Sequence, residues 1–171
     1  MTDHSPVSNP NDERIKKGFL LAGSLLICLA TGWAGSYFTR TGPGSWYAEV
    51  LIKPGLTPPG YLFGIVWTIL YILMGICLYL LLTKDRSLNE VRVAIVLFFV
   101  QLALNFSWSY LFFGLENPMA GLLCIIALWI FILATIVASY KIDRTAAYLL
   151  VPYILWVSFA TLLNWQIVVL N

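Results

Sequence analysis

Five stretches of the chain, residues 18–38, 59–83, 93–115, 119–140 and 146–170, contain no Asp, Glu, Lys, Arg or His. Each is long enough to cross a bilayer as a helix, which takes roughly 20 apolar residues. Backbone N–H and C=O groups in hydrocarbon must bond within the segment, so continuous apolar runs of this length read as α-helices. A membrane β-barrel would show short segments of alternating polarity instead. The expected fold class is therefore all-α and integral to the membrane, a bundle of five transmembrane helices. The composition agrees: of 171 residues 60% are hydrophobic and 11% charged, with a mean hydropathy of +0.85. A soluble domain averages about 25% charged residues, and a chain of this size could not hide so much apolar surface from water. That balance excludes an ordinary soluble enzyme and a nucleic-acid binder.

Residues 1–13 are polar, contain two prolines and read as a disordered tail. Residues 14–171 read as one membrane domain. The first apolar run is longer than the apolar core of a signal peptide and no small-residue cleavage site follows it, so it reads as a span. The connections at 84–92, 116–118 and 141–145 are short, as between antiparallel neighbours. The exception is 39–58, rich in Gly and Pro, which reads as a lid able to reshape over a cavity. Thr57 is expected to cap the second helix with Pro58 at its first position. Gly60 and Gly64 form a G-x-x-x-G pattern that permits close helix approach, within the bundle or in a dimer. Pro118 should start the fourth helix, and Pro152 should kink the fifth or mark its first turn.

Chemistry is limited by what the spans lack. With no Asp, Glu, Lys, Arg or His in them, no general base, Ser-His pair or coupled-ion site is available there. Cys28, Cys77 and Cys124 lie inside spans and read as small packing residues; the single histidine, His4, lies in the tail. No catalytic or metal-binding set and no obligatory cofactor is expected.

The aromatic residues carry more information. Of seven tryptophans, Trp33, Trp46, Trp67, Trp108 and Trp165 fall toward the end of the bundle that carries the long loop. Trp129 and Trp156 fall near its middle. An interfacial belt would place Trp at both ends; a one-sided cluster fits a cavity for a flat apolar ligand. Phe63, Trp67 and Tyr71 share one face of the second helix at i, i+4, i+8. Gln101, Asn105, Trp108 and Phe112 share a face of the third, and Trp156, Ala160 and Asn164 a face of the fifth. An amide in hydrocarbon is penalised unless bonded, so Gln101, Asn105 and Asn164 must face the bundle, bonded either to another helix or to a ligand.

Three motifs then carry a resemblance. Trp46-Tyr47, Lys53-Pro54, Pro58-Pro59, Trp67, Leu70-Tyr71 and Gly75 form the first. Gln101 to Asn105 with Trp108 and Phe112-Phe113 form the second. Pro152-Tyr153, Trp156, Phe159-Ala160 and Leu163-Asn164 form the third. In this order and spacing the chain resembles the translocator protein family, the tryptophan-rich sensory proteins. The resemblance implies a five-helix bundle, often a homodimer, in a bacterial cell membrane. It implies a pocket under the first loop for porphyrins such as protoporphyrin IX or haem, and in some members for sterol-like and synthetic aromatic ligands. By position its pocket residues are Trp46, Trp67, Asn105, Trp108, Trp156 and Ala160. The implied role is a membrane receptor or carrier of tetrapyrroles in stress signalling, with light- or oxidant-dependent porphyrin degradation and a purely structural role as alternatives. The chain departs from the family at the end of the fifth helix, where no Tyr followed by a basic residue stands for sterol binding. It also lacks a Trp early in the fourth helix. Because His4 is in the tail and the cysteines lie off the aromatic stripes, a porphyrin would be held by stacking on Trp67, Trp108 and Trp156 and by amide hydrogen bonds rather than by its metal.

Orientation follows from Lys and Arg. Arg14, Lys16, Lys17, Lys84, Arg86, Arg92, Lys141 and Arg144 flank one end of the bundle; Arg40 and Lys53 flank the other. This bias places the N-terminus in the cytoplasm and the C-terminus outside. A C-terminal reporter active only outside the cell should therefore give signal, and a cytoplasm-dependent one should stay silent; the reverse result overturns the topology.

Overall fold

The computed structural model describes residues 10–85 and 88–171, and among these every regular element is helical. Five helices are long and apolar enough to cross a membrane. The first, α1, runs from Pro10 to Ser36. It begins before the apolar run, so the expected disorder fails for residues 10–13; residues 1–9 lie outside the described residues. The reason is local. Proline is favoured at a first helical position, and Asp12 and Glu13 in the first turn complement the positive end of the helix dipole.

The long loop carries a single helical turn, α2, Trp46–Glu49. Ser45 caps it, its hydroxyl accepting from Ala48 N at 3.2 Å. Gly44 (φ 80°) takes a left-handed turn that aims its N–H at Glu49 Oε1, 2.7 Å away. Lys53 closes the other end, donating to the carbonyls of Tyr47 and Ala48 at 2.7 and 3.0 Å.

The next long helix, α3, spans Gly60–Leu82. Thr57 does not cap it. Its hydroxyl turns back onto Pro54 O at 2.7 Å, and both Thr57 and Pro58 precede a proline, which holds them out of helical geometry. The helix α4 spans Asn89–Ser109 and runs into a wider turn, Tyr110–Gly114, where Leu115 N bonds to Tyr110 O across five residues at 2.9 Å. As expected, Pro118 opens α5, Pro118–Ile142, beneath an Asn117 cap. The fifth apolar segment is two helices, α6 (Arg144–Leu149) and α7 (Val151–Leu170), with Pro152 in the first turn of α7.

Asp143 joins the two turns at one end of the bundle. It caps α6 through Thr145 N and Ala146 N, and its Oδ2 lies 2.8 Å from Lys84 Nζ. The hydrogen bond from Lys84, with those backbone donors, holds the Asp143 carboxyl below its ordinary pKa. At the opposite end the Asn171 side chain pairs both ways with the backbone of Ile52, at 3.0 and 3.1 Å, tying α7 to the loop.

The helix α1 lies against α3 and α4, α5 against α4 and α7, and α6 against α3 and α5. Met74, Cys77, Leu78 and Leu81 of α3 and Phe98 of α4 are fully enclosed, while Leu26, Val96, Leu123 and Val169 face outward. Outward apolar side chains are the surface a bilayer covers. The closest approach of α1 and α3 is not at Gly60 or Gly64, because a Cβ on Gly64 would meet nothing within 4 Å. It is at Gly75, where a Cβ would stand 2.9 Å from Leu25 Cα. Gly75→Ala should therefore destabilise by about 1–3 kcal/mol, the usual penalty of overpacking. Gly64→Ala should be neutral or stabilise by up to about 1 kcal/mol. Thermal unfolding of both variants in detergent checks the contrast.

Candidate ligand cavity

Half-way along the bundle a chain of neutral hydrogen bonds crosses three helices. Tyr71 of α3 donates its hydroxyl to Asn105 Oδ1 of α4. Asn105 Nδ2 donates to the Tyr153 hydroxyl of α7 at 3.0 Å, and Tyr153 donates in turn to Gln101 Oε1 at 2.9 Å. Gln101 Nε2 ends the chain 3.9 Å from the Met74 sulfur, back on α3. All five side chains are buried.

Toward the loop the interior becomes aromatic. The Trp67 ring lies between Tyr71 and Trp108, with centroids 5.7 and 6.4 Å away, and Tyr153 meets its edge at 6.1 Å. Trp108 stacks on Phe112 at 5.6 Å and 29°. The Trp108 indole N–H donates to Asn164 Oδ1 at 3.2 Å, and Asn164 Nδ2 donates to Pro118 O at 2.8 Å. The wide turn after α4 sets Phe112 and Phe113 against one another, 4.7 Å apart, at the upper end of this ladder.

A cavity of about 370 Å³ lies beside the ladder. Its walls come from α1 (Leu29, Gly32, Trp33, Ser36), from α3 (Phe63, Gly64, Trp67, Thr68, Tyr71) and from α4 (Asn105, Trp108, Ser109), with Thr39 and Phe113 above. A second space of about 30 Å³ lies under the loop, between Thr41, Tyr47, Phe112, Ala160, Leu163, Asn164 and Ile167. The Phe63, Trp108 and Phe113 rings border both spaces. None of the lining residues is Asp, Glu, Lys, Arg or His. Among the described residues no three His, Cys, Asp or Glu side chains gather into a metal site. Burial raises the pKa of the Tyr47 phenol, so it too is neutral at neutral pH. Cavities of 300–1,000 Å³ are the usual size for small-molecule ligands.

The residues named from sequence divide into three groups. Trp67, Tyr71, Asn105 and Trp108 line the larger cavity, and Phe112, Ala160 and Asn164 the smaller. Gln101 lines neither; it is wholly enclosed below as the partner of Tyr153. Trp46 and Trp156 line neither. In the single turn of α2 it is Tyr47 that points inward, while Trp46 meets the edge of Phe112 at 5.9 Å. Trp156 packs on Phe63 and Phe159, with its indole N–H buried and without a partner. The inward face of α7 is Tyr153, Val157, Ala160 and Asn164. That set recurs at i, i+4, i+7, i+11, a truer helical stripe than the i, i+4, i+8 of Trp156, Ala160 and Asn164. Tyr153 is thus the central residue that the expected set omitted.

The chain of bonds makes an order of sensitivity. Tyr153→Phe strands both Gln101 Oε1 and Asn105 Nδ2 and should destabilise by about 1–3 kcal/mol. Tyr71→Phe strands only one acceptor and should lose less, about 0.5–1.5 kcal/mol. Tyr153→Phe with Asn105→Ala should fall short of the sum of the single losses, because both break the same bond. Unfolding of the four proteins in one detergent measures this.

The family model for the TspO/MBR family matches residues 24–170. The Tryptophan-rich protein TspO of Chlorobaculum tepidum is 49% identical over 156 residues, 91% of this chain and 98% of that protein. Its counterpart in Archaeoglobus fulgidus is 50% identical over 151 residues, covering 88% and 96%. The human Translocator protein is 37% identical over 149 residues, covering 86% and 85%. With a family match over most of its length, the chain is a multi-pass membrane protein that belongs to the TspO/MBR family.

Proposed function

We propose that the protein is a membrane receptor or carrier that takes a porphyrin against Trp67 and Trp108, in tetrapyrrole or stress signalling or transport. The observation that supports this reading best is the cavity of about 370 Å³ walled on one side by a run of rings, Tyr71, Trp67, Trp108 and Phe113. Such a wall suits a flat, extended π-system. Offset and edge contacts between rings contribute about 0.5–1.5 kcal/mol each beyond buried area. A role in sensing or translocation agrees with the names of two relatives, a Tryptophan-rich sensory protein of Cereibacter sphaeroides and the human Translocator protein. A receptor or carrier needs no acid or base, and none lines the cavity. The relative in Chlorobaculum tepidum supports a bacterial cell membrane, and the Lys and Arg bias supports an N-terminus in the cytoplasm.

On this reading the ring is held by its faces and not by its metal. Cys28 and Cys77 are fully buried and line neither space, and neither does Cys124. Protoporphyrin IX added to the protein in nanodiscs should quench tryptophan fluorescence, and haem should bind with similar affinity. Trp67→Ala and Trp108→Ala should each weaken both ligands about three- to tenfold, the loss of one or two stacking contacts. Trp156→Ala, at a residue that lines neither space, and the three Cys→Ala changes should shift affinity less than about twofold. Haem binding a hundredfold tighter than the free ring would overturn the reading, and so would Trp67 and Trp108 variants that bind like the parent.

A further inference from the structure

The larger cavity is not closed on its side. Trp33 is 79% exposed and Leu29 38% exposed, yet both line it. Gly64 and Thr68 on α3 are exposed lining residues as well. A Cβ on Gly64 would meet nothing within 4 Å. The cavity therefore opens through a cleft between α1 and α3. That cleft lies within the membrane-spanning lengths of both helices. Counting from Gly60 at 1.5 Å per residue, Gly64 and Thr68 sit about 6 and 12 Å below the loop end of α3. This depth is inside a hydrocarbon layer about 30 Å thick.

The two helices are shaped as a wedge. Far from the loop Gly75 seats the backbone of Leu25, and nearer to it Gly32 seats the Tyr71 ring, so α1 and α3 are in contact at both levels. Above Gly32 they part. The route from the loop is blocked by comparison. Phe63, Trp108 and Phe113 stand between the cavity and the small space under the loop, and Thr39 alone among residues 37–59 lines the cavity.

We propose that the cavity exchanges its ligand with the bilayer, through the cleft between α1 and α3, so that its substrates are flat ring compounds dissolved in the lipid. This rests on reading the cavity as a ligand site but not on the ligand being a porphyrin. Trp33 stands at the mouth, and the wall beyond it is apolar except for the Asn105 amide and several hydroxyls. Three of these, on Ser36, Thr39 and Thr68, donate back to their own helix or turn at 2.7–3.1 Å. Ser109 of α4 lines the cavity beside α1, its Oγ 3.4 Å from where a Cβ on Gly35 would stand.

Ser109 also supplies the test. In a protein with Cys28, Cys77 and Cys124 changed to Ala, Ser109→Cys places one thiol in the cavity. In nanodiscs, N-(1-pyrenyl)maleimide, a flat ring reagent that partitions into lipid, should label this thiol. A membrane-impermeant sulfonated thiol reagent should react at least tenfold more slowly. Adding Gly64→Leu, which fills the mouth, should slow the pyrene reagent at least tenfold. Thr68→Phe, a second plug at the same rim, should do the same, which guards against one variant folding poorly. No labelling by the pyrene reagent, faster labelling by the sulfonated one, or plugs without effect would each overturn the proposal. Porphyrin titration of the unmodified protein is a separate measurement, so porphyrin binding can fail while this access route stands, and the reverse.

Discussion

The structure depends on how five helices satisfy polar groups in an interior that holds no charge. Tyr71, Asn105, Tyr153 and Gln101 solve this together: each donates once along the chain, and the last amide ends on the Met74 sulfur. In hydrocarbon an unpaired amide or phenol costs several kcal/mol, so the register of α3, α4 and α7 at this level is tightly constrained. A shift of any one by a turn would strand at least two polar atoms. The neutrality of the network matters too, because a charge at this depth would bring water or a counter-ion with it. The network lies at the floor of the cavity and holds the first ring of its wall, Tyr71.

Above that floor the same helices do the opposite. The Tyr71 ring is seated on α1 at Gly32, whereas a Cβ on Gly64 nearer the loop would meet nothing within 4 Å. The space of about 370 Å³ opens at that level, along the Phe63, Trp67 and Trp108 rings. The wide turn at the end of α4 extends the ring wall. Its bond across five residues inserts extra chain into the turn, and such turns are frequent at functional sites. Here it carries Phe112 and Phe113 inward, and Phe113 joins Phe63 and Trp108 as a ring shared by both spaces.

The sequence displayed the long helices plainly because absence of charge over 20 residues has one physical explanation. It displayed their ends less well. Thr57 has the composition of a cap but sits before two prolines, and the second of them postponed the helix to Gly60. Residues 10–13 look like tail by polarity, yet Pro10, Asp12 and Glu13 are what a helix start prefers. At the site, Trp67, Asn105 and Trp108 were legible because each lies in a stripe with a regular spacing. Trp156 and Trp46 line neither space and pack behind the wall, on Phe63 and on Phe112. Tyr153 and Tyr47, beside them, have the inward phase and take the inward positions. The wide turn had no signal in composition or spacing, since apolar residues run unbroken through it.

The loop belongs to the same solution as the network. Its single helical turn is closed at one end by Ser45 and at the other by the Lys53 ammonium, which also lies 5.2 Å over the Tyr47 ring. Lys53 is thereby committed to carbonyls and a ring, and it lends the cavity no positive charge. Tyr47 is held with its ring on Phe113 at 5.5 Å, so the inward residue of the loop rests on the outermost ring of the wall. Asn171 fastens the next residues of the loop to the end of α7 by two hydrogen bonds. Motion of Phe113 would thus be felt by Tyr47, and motion of α7 by Ile52. A ligand that displaced the shared ring would load the loop through packing rather than through charge, which is the form of coupling a neutral interior permits.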